Sequence, residues 1–418
     1  MNHCVTITHY KDYRNKIKAG IIFKDCCNIN NNYFYKMQKL KQQFAAQFFF
    51  LIATIFFAAC NSNESKMDNN NIKPGITKTN WGNVDGKEVD LYTLTNNNGI
   101  EIKISNYGGT IVSWTVPDKN GNTGNVVLGF DSLSGYLAKP PYFGATIGRY
   151  GNRIANGKFK IGDSVYTLAK NNGKNHLHGG IKGFDKVVWS ASTIADSIPE
   201  LGLNYISKDG EEGYPGNLNV TVKFLLNNDN EFSIEYFAET DKPTPVNLTN
   251  HTYFNLSGNV SNDVLQEELK IDASYYTPVD STLIPTGEIK SVMGTPFDFT
   301  QPHKIGERIA QVPGGYDHNF VLNKKDSSLQ FAASLTDSAS GIKLEIFTTE
   351  LGIQFYSGNF LDGTIKNRDG KLINQHTGLC LETQHFPDSP NEPKFPSTIL
   401  KPGEKYHSLT KYKMLVVK

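Results

Sequence analysis

Val220-Thr221-Val222-Lys223-Phe224 runs into Asn227-Asn228-Asp229-Asn230, and Phe232-Ser233-Ile234-Glu235-Tyr236 returns. Apolar and polar residues alternate on both sides of a polar turn. Successive strand side chains point to opposite faces, so each run has one apolar and one wet face. Two such runs joined by a short Asn/Asp-rich loop predict an antiparallel hairpin. The same alternation recurs in Gly99-Ile100-Glu101-Ile102-Lys103-Ile104, in Lys158-Phe159-Lys160-Ile161 and in Ile342-Lys343-Leu344-Glu345-Ile346. No long segment of the body carries a helical period. The expectation is an all-β fold, a large antiparallel β-sandwich with one inner core. No Pro-rich or charged linker interrupts it, so residues 78–418 are expected to form a single domain.

The chain has 418 residues and a formal charge of +1. That balance argues against nucleic acid or an anionic membrane surface as an electrostatic partner. Of the cysteines, only Cys380 lies in the body, which therefore has no internal disulfide to rely on.

The N-terminus reads as an address. Met37-Gln38-Lys39-Leu40-Lys41 is a basic start, residues 44–59 are almost wholly apolar, and Phe57-Ala58-Ala59-Cys60 follows. This order matches an export signal, and small residues before Cys resemble a bacterial lipoprotein signal, in which the cysteine is lipidated. A membrane-spanning helix wants ~20 apolar residues, and this run is shorter. Residues 37–60 are thus expected to be a signal ending at Cys60. Residues 61–77, rich in Asn and Ser at their start, are expected to be a flexible tether. Residues 1–36 precede the signal, and translation is expected to start at Met37.

Several polar segments interrupt the strands. Gly144 to Gly157 is dense in Gly and Asn and carries Arg153, a rigid fork of donors that stays charged. Taken alone, Arg153 reads equally as a surface residue beside turns. Asn175-His176-Leu177-His178-Gly179-Gly180 contains an HxH pair. On a strand both imidazoles would point the same way, as in the metal site of a cupin, but no Glu follows at the spacing cupins need. A hydrogen-bonded loop histidine is the plain alternative. Asp317 follows a Gly-Gly turn, Gln354 brings an amide, and Tyr253 and Phe386 offer flat apolar faces, although all suit ordinary structure as well. His251 sits in Asn250-His251-Thr252-Tyr253, and Glu382 in Cys380-Leu381-Glu382-Thr383-Gln384. An imidazole and a carboxylate suit general acid–base chemistry near neutral pH.

Together these segments resemble the aldose 1-epimerase (galactose mutarotase) family. The resemblance runs from about residue 80 to the C-terminus. It is carried by GATIGRYGNRIANGKF (144–159), NHLHGGIKGFDKVVW (175–189), PVNLTNHTYFNLSG (245–258), GGYDHNF (314–320), GIQFYSGNFLDG (352–363) and CLETQHFPDSPN (380–391). It implies a β-sandwich with an open sugar-binding cleft across one sheet. It implies that Glu382 is the catalytic base and His251 the catalytic acid, interconverting the anomers of free hexoses such as galactose or glucose. Asn152, Arg153, His178, Tyr253, Asp317 and Gln354 are the implied substrate-binding positions. His178 and Arg153 are expected to add positive charge near the ring oxygen, with Glu382 ionised and His251 protonated. No metal or organic cofactor is expected.

The lipoprotein signal departs from the many cytoplasmic members. It implies a lipid-anchored protein of the bacterial cell envelope, on the periplasmic or outer-membrane face. A carbohydrate-binding protein without catalysis and a sugar-phosphate epimerase of the same fold remain open alternatives, as does a cupin-type metal-dependent isomerase. The sequence leaves oligomeric state undecided.

Overall fold

Strand Leu218–Leu226 pairs antiparallel with Glu231–Thr240, with Val222 opposite Tyr236 and Phe224 opposite Ile234. Asn227 closes the turn: its Oδ1 accepts the N–H groups of Asp229 (2.9 Å) and Glu231 (3.0 Å). Val220, Val222, Phe224, Phe232 and Ile234 are buried, while Thr221, Lys223, Ser233 and Glu235 between them are partly exposed. Each buried apolar side chain contributes on the order of 2 kcal/mol by leaving water. This is the hairpin that the alternation predicts.

The computed structural model describes residues 72–194 and 198–417. They lie in one compact unit, Asn69–Lys418. The extension 1–36, the signal 37–60 with Cys60, and most of the tether lie outside the described residues. Residues 75–77, assigned above to the tether, are instead paired: strand Gly75–Val84 opens on them and pairs with Lys87–Thr95. Thr77 faces Thr93 in this register, so main-chain pairing outweighs the local polar composition.

The hairpin sits within a nine-stranded antiparallel sheet, in which Tyr406–Val416 lies between Glu231–Thr240 and Ile342–Thr348. A six-stranded sheet runs in the order Tyr253–Phe254, Leu379–Gln384, Gly352–Tyr356, Asp317–Leu322, Ala273–Thr277, Lys290–Ser291. A five-stranded sheet starts from Gly75–Val84. One core joins all three: Phe320, Phe355 and Leu381 cluster with Val220, Phe232, Leu94 and Trp114. Trp114 meets Phe232 edge-on at 5.0 Å between ring centroids. Among the described residues the one α-helix is Leu133–Leu137. The fold is the all-β antiparallel sandwich expected from the alternation.

The six-stranded sheet departs from the wet-face pattern. Leu379–Gln384 is buried at every position. Leu379 and Leu381 enter the core, and Thr383 bonds Thr410 of the nine-stranded sheet at 2.5 Å. Alternation therefore turns Cys380, Glu382 and Gln384 to the other face. Surrounding segments cover that face, so its polar groups are both buried and concentrated.

Candidate active site

His251 ends strand Thr249–His251, which pairs with Ala145–Ile147. The Asn250 Oδ1 accepts the Thr252 N–H (3.1 Å) and O–H (2.5 Å), fixing the turn toward Tyr253–Phe254. Glu382 lies opposite Gln354 on the next strand, and Gln354 lies opposite Asn319. Arg153 lies in the short strand Arg153–Ile154, paired with His176–Leu177. That strand stops before His178, which adopts a left-handed φ of 51°. A Cβ on the next residue, Gly179 (φ 83°), would run into the Gly148 carbonyl, so only glycine lets the chain turn there.

These elements bring together seven of the expected residues. Asn152, Arg153, His178, His251, Tyr253, Asp317 and Glu382 line one cleft. Gln354 shares the sheet face of Glu382 but is covered: its Nε2 donates to the Asp317 Oδ1 at 2.7 Å, and its Oε1 accepts from Gln384. Phe386 is buried against Phe395, away from the cleft. Pro141, Tyr142, Leu177, Tyr356 and Phe360 complete the lining and were not picked out from sequence. Of these, Tyr142 follows a Pro-Pro pair and Phe360 is two-thirds exposed at the rim, but neither feature alone marks a ligand site.

The His251 Nε2 lies 3.8 Å from the Glu382 Oε1, both side chains buried at the cleft. Across the cleft the Arg153 Nη2 lies 3.7 Å from the Asp317 Oδ2, also buried. Both gaps exceed a direct hydrogen bond and are short enough for one oxygen to bridge. Arg153 is held from behind by the Asn172 Oδ1, which accepts from its Nε at 3.2 Å. Its neighbour Arg149 is purely structural: it is buried and donates to the carbonyls of Pro215 (2.8 Å) and Gly216 (3.0 Å).

The HxH histidines do not act as a pair. His176 is pinned between the Ala169 carbonyl (2.7 Å) and the Tyr214 hydroxyl (2.6 Å). His178 alone reaches the cleft, its ring perpendicular to His251 with centroids 5.1 Å apart. The His178 Nδ1 accepts the Asn152 N–H at 3.1 Å, so a proton on this ring belongs on Nε2. Burial, then the charges of His251 and Arg153, holds His178 well below the usual imidazole range. His178 is therefore a neutral donor, not the second cation expected above.

Burial also lowers His251, to about 4, with its own main-chain carbonyl opposing and Arg153 adding to the shift. Burial, then the Asp317 charge, pushes the Glu382 carboxyl well above its usual range, against the pull of Arg153. Its Oε2 is buried with no partner among the described residues. Burial thus pushes both groups toward their neutral forms, against the expected resting charges.

A different set meets metal-ligand geometry. His178, His251 and Glu382 present ligand atoms all within 4.8 Å of one another. Two imidazoles and one carboxylate are a donor set that zinc accepts.

The chain is similar to known proteins over most of its length. The family profile described as Aldose 1-epimerase matches residues 90–413. The chain is 47% identical over 318 residues to galactose mutarotase of Bos taurus, spanning 76% of this chain and 92% of that one. It is 41% identical over 338 residues to aldose 1-epimerase of Escherichia coli (strain K12), spanning 79% and 96%. A solved aldose epimerase homologue from C. elegans superimposes with a TM-score of 0.74 at 31% identity, covering 78% of this chain and 99% of that one. The chain belongs to the aldose 1-epimerase family.

Proposed function

We infer that Glu382 and His251 are the base and acid with which this chain, an aldose 1-epimerase, interconverts the α and β anomers of free hexoses such as galactose or glucose. The observation that carries the assignment is the 3.8 Å separation of their reactive atoms. In a pyranose the anomeric hydroxyl and the ring oxygen share one carbon, C1. A base for the first and an acid for the second must therefore stand almost side by side.

Glu382 takes the proton from the C1 hydroxyl, and the His251 Nε2 gives one to the ring oxygen. The C1–O5 bond breaks and a free aldehyde forms. Rotation about C1–C2 presents the other carbonyl face to the C5 hydroxyl. Glu382 then returns its proton to the carbonyl oxygen, His251 takes one from the C5 hydroxyl, and the ring closes as the other anomer. Ring opening turns a charged Glu⁻/His⁺ pair into a neutral one, which is the state that burial favours. Asp317, braced by Gln354, accepts sugar hydroxyls, and Arg153 and His178 donate to sugar oxygens.

The cleft argues against a sugar phosphate. Among the described residues lining it the one side chain with a fixed positive charge is Arg153, already facing Asp317. A phosphate would want more cations than that. The presence of both acid and base argues against a binding module without catalysis.

The N-terminal address supports a lipid anchor. The basic start at Met37, the apolar run 44–59 and Cys60 together suit a lipidated Cys60 that tethers the protein in a bacterial cell envelope. Incorporation of radiolabelled fatty acid into the full chain but not into Cys60→Ala supports this; equal labelling of both overturns it.

Polarimetry on freshly dissolved α-galactose and α-glucose tests the chemistry. The wild-type chain speeds the drift to equilibrium, and Glu382→Gln loses ~10²–10⁴-fold. A folded Glu382→Gln protein with the wild-type rate overturns the assignment of the base.

A further inference from the structure

We propose that Cys380 is a positioning residue for this reaction: its sulfur holds the Nδ1–H of His251, which leaves Nε2 as the nitrogen that carries the reacting proton. The Cys380 Sγ lies 3.4 Å from the His251 Nδ1, within hydrogen-bond reach for sulfur. Among the described residues it is the one side chain hydrogen-bonded to that ring.

One strand thus addresses both edges of one imidazole. Cys380 and Glu382 are two residues apart on Leu379–Gln384 and share a face. The first meets Nδ1 and the second faces Nε2. Cys380 is fully buried and lies in register with both Tyr253 and Tyr356, whose rings flank His251 at 5.0 and 6.4 Å. The ring therefore has little freedom to swing once its Nδ1 is held.

A neutral histidine carries its proton on one nitrogen, and the hydrogen bond at the other edge selects which. Only the Nδ1–H form leaves a lone pair on Nε2 to take a proton and pass it on. The His251 main-chain carbonyl, which accepts the Gly144 N–H at 3.0 Å and has a second lone pair, also favours a protonated ring nitrogen and acts beside the sulfur. Burial, then the nearby carboxylates, pushes the Cys380 thiol well above its usual range, so the sulfur stays uncharged. A neutral sulfur orients the ring without stabilising the imidazolium as a carboxylate would. His251 therefore remains a strong proton donor.

The kinetic part of this inference rests on His251 being the acid; the tautomer does not. The test compares the full chain with Cys380→Ser, which keeps an acceptor, and Cys380→Val, which fills the space without one. Nitrogen-15 NMR of the histidines, with His251 assigned by its loss in His251→Asn, reads the tautomer near neutral pH. The expected wild-type and Ser spectra show Nδ1–H with a bare Nε2, and the Val spectrum shows a mixture. The expected kcat falls about ten-fold in Val, the size of one neutral hydrogen bond, with KM within about two-fold, and Ser recovers most of it. A wild-type ring protonated on Nε2 overturns the proposal. So does a Val variant that keeps both the tautomer and the wild-type kcat. An ordered Nδ1–H ring in a chain whose His251→Asn variant stays fully active would sink the acid assignment instead.

Discussion

The Nε2 of His251 and the Oε1 of Glu382 face each other across 3.8 Å at the base of the cleft, both side chains buried. Their protonation sets the pH dependence. On the acid side activity ends when His251 takes a second proton, and burial has lowered that step to about 4. On the basic side it ends when the pair loses its one proton, and burial has raised Glu382. As pH falls, kcat/KM should therefore hold through the ordinary imidazole range and be half lost near pH 4. A pH–rate profile with its acid limb near ~6.5, the unperturbed imidazole value, would contradict the lowered histidine.

Arg153 and Asp317 form the opposite wall. Their 3.7 Å gap is too long for a good hydrogen bond and suits a shared sugar hydroxyl. Asp317→Asn keeps the shape and the link to Gln354 while removing the charge. The expected loss is about ten- to hundred-fold in kcat/KM, as for a hydrogen bond to a charged group. Steady-state polarimetry should place most of it in KM, since this pair holds the ring and does not move the proton.

The three donor atoms of His178, His251 and Glu382 make the site a trap for zinc. Added Zn²⁺ should inhibit competitively with sugar, and EDTA should restore the rate. His178→Ala should weaken that inhibition by about ten-fold, since a structural or catalytic zinc wants at least three protein ligands. Loss of activity on EDTA alone would instead indicate a resident metal.

An ion pair between the buried Glu350 and the partly exposed His385 props the strand end beyond Glu382. The His385 Nδ1 lies 2.5 Å from the Glu350 Oε2, with Tyr406 on the other carboxyl oxygen. Burial pushes the Glu350 carboxyl up, but the His385 charge outweighs it and the net shift is downward. Burial lowers His385, but Glu350 outweighs that and raises it. The Glu350 contribution to stability is present above its unfolded value and is lost as pH falls through the depressed folded one. The His385 contribution is present below its unfolded value and is lost as pH rises through the raised folded one. Stability from the pair is thus complete between ~4.3 and ~6.5, the two unfolded values. His385→Ala should cost about 1–3 kcal/mol in urea unfolding at pH 6, because the buried Glu350 carboxylate loses its charged partner and keeps the Tyr406 hydroxyl. A loss below ~1 kcal/mol would place the pair with exposed ones.

The chemistry-bearing blocks were legible because they break the strand pattern. His251, Glu382, Arg153 and Asp317 sit in polar runs that no half-buried strand would choose, and the structure gathers them in one cleft. Gln354 and Phe386 sat in equally telling company, yet one braces Asp317 and the other packs on Phe395. Proximity in a motif does not tell which side chains reach the cleft surface and which are covered by their neighbours. The two HxH rings part because the chain leaves the strand between His176 and His178.

The sequence alone determined the half-exposed strands, because the period-two alternation from Val220 to Tyr236 is a local property of neighbouring side chains. It also determined the types of group available for proton transfer. The tertiary structure decided their distances and their charges. Only folding sets a strand from one part of the chain beside a turn from another. Only the burial that follows drives a carboxylate and an imidazole toward their neutral forms, since desolvation depends on everything packed around a group and not on its neighbours in the chain.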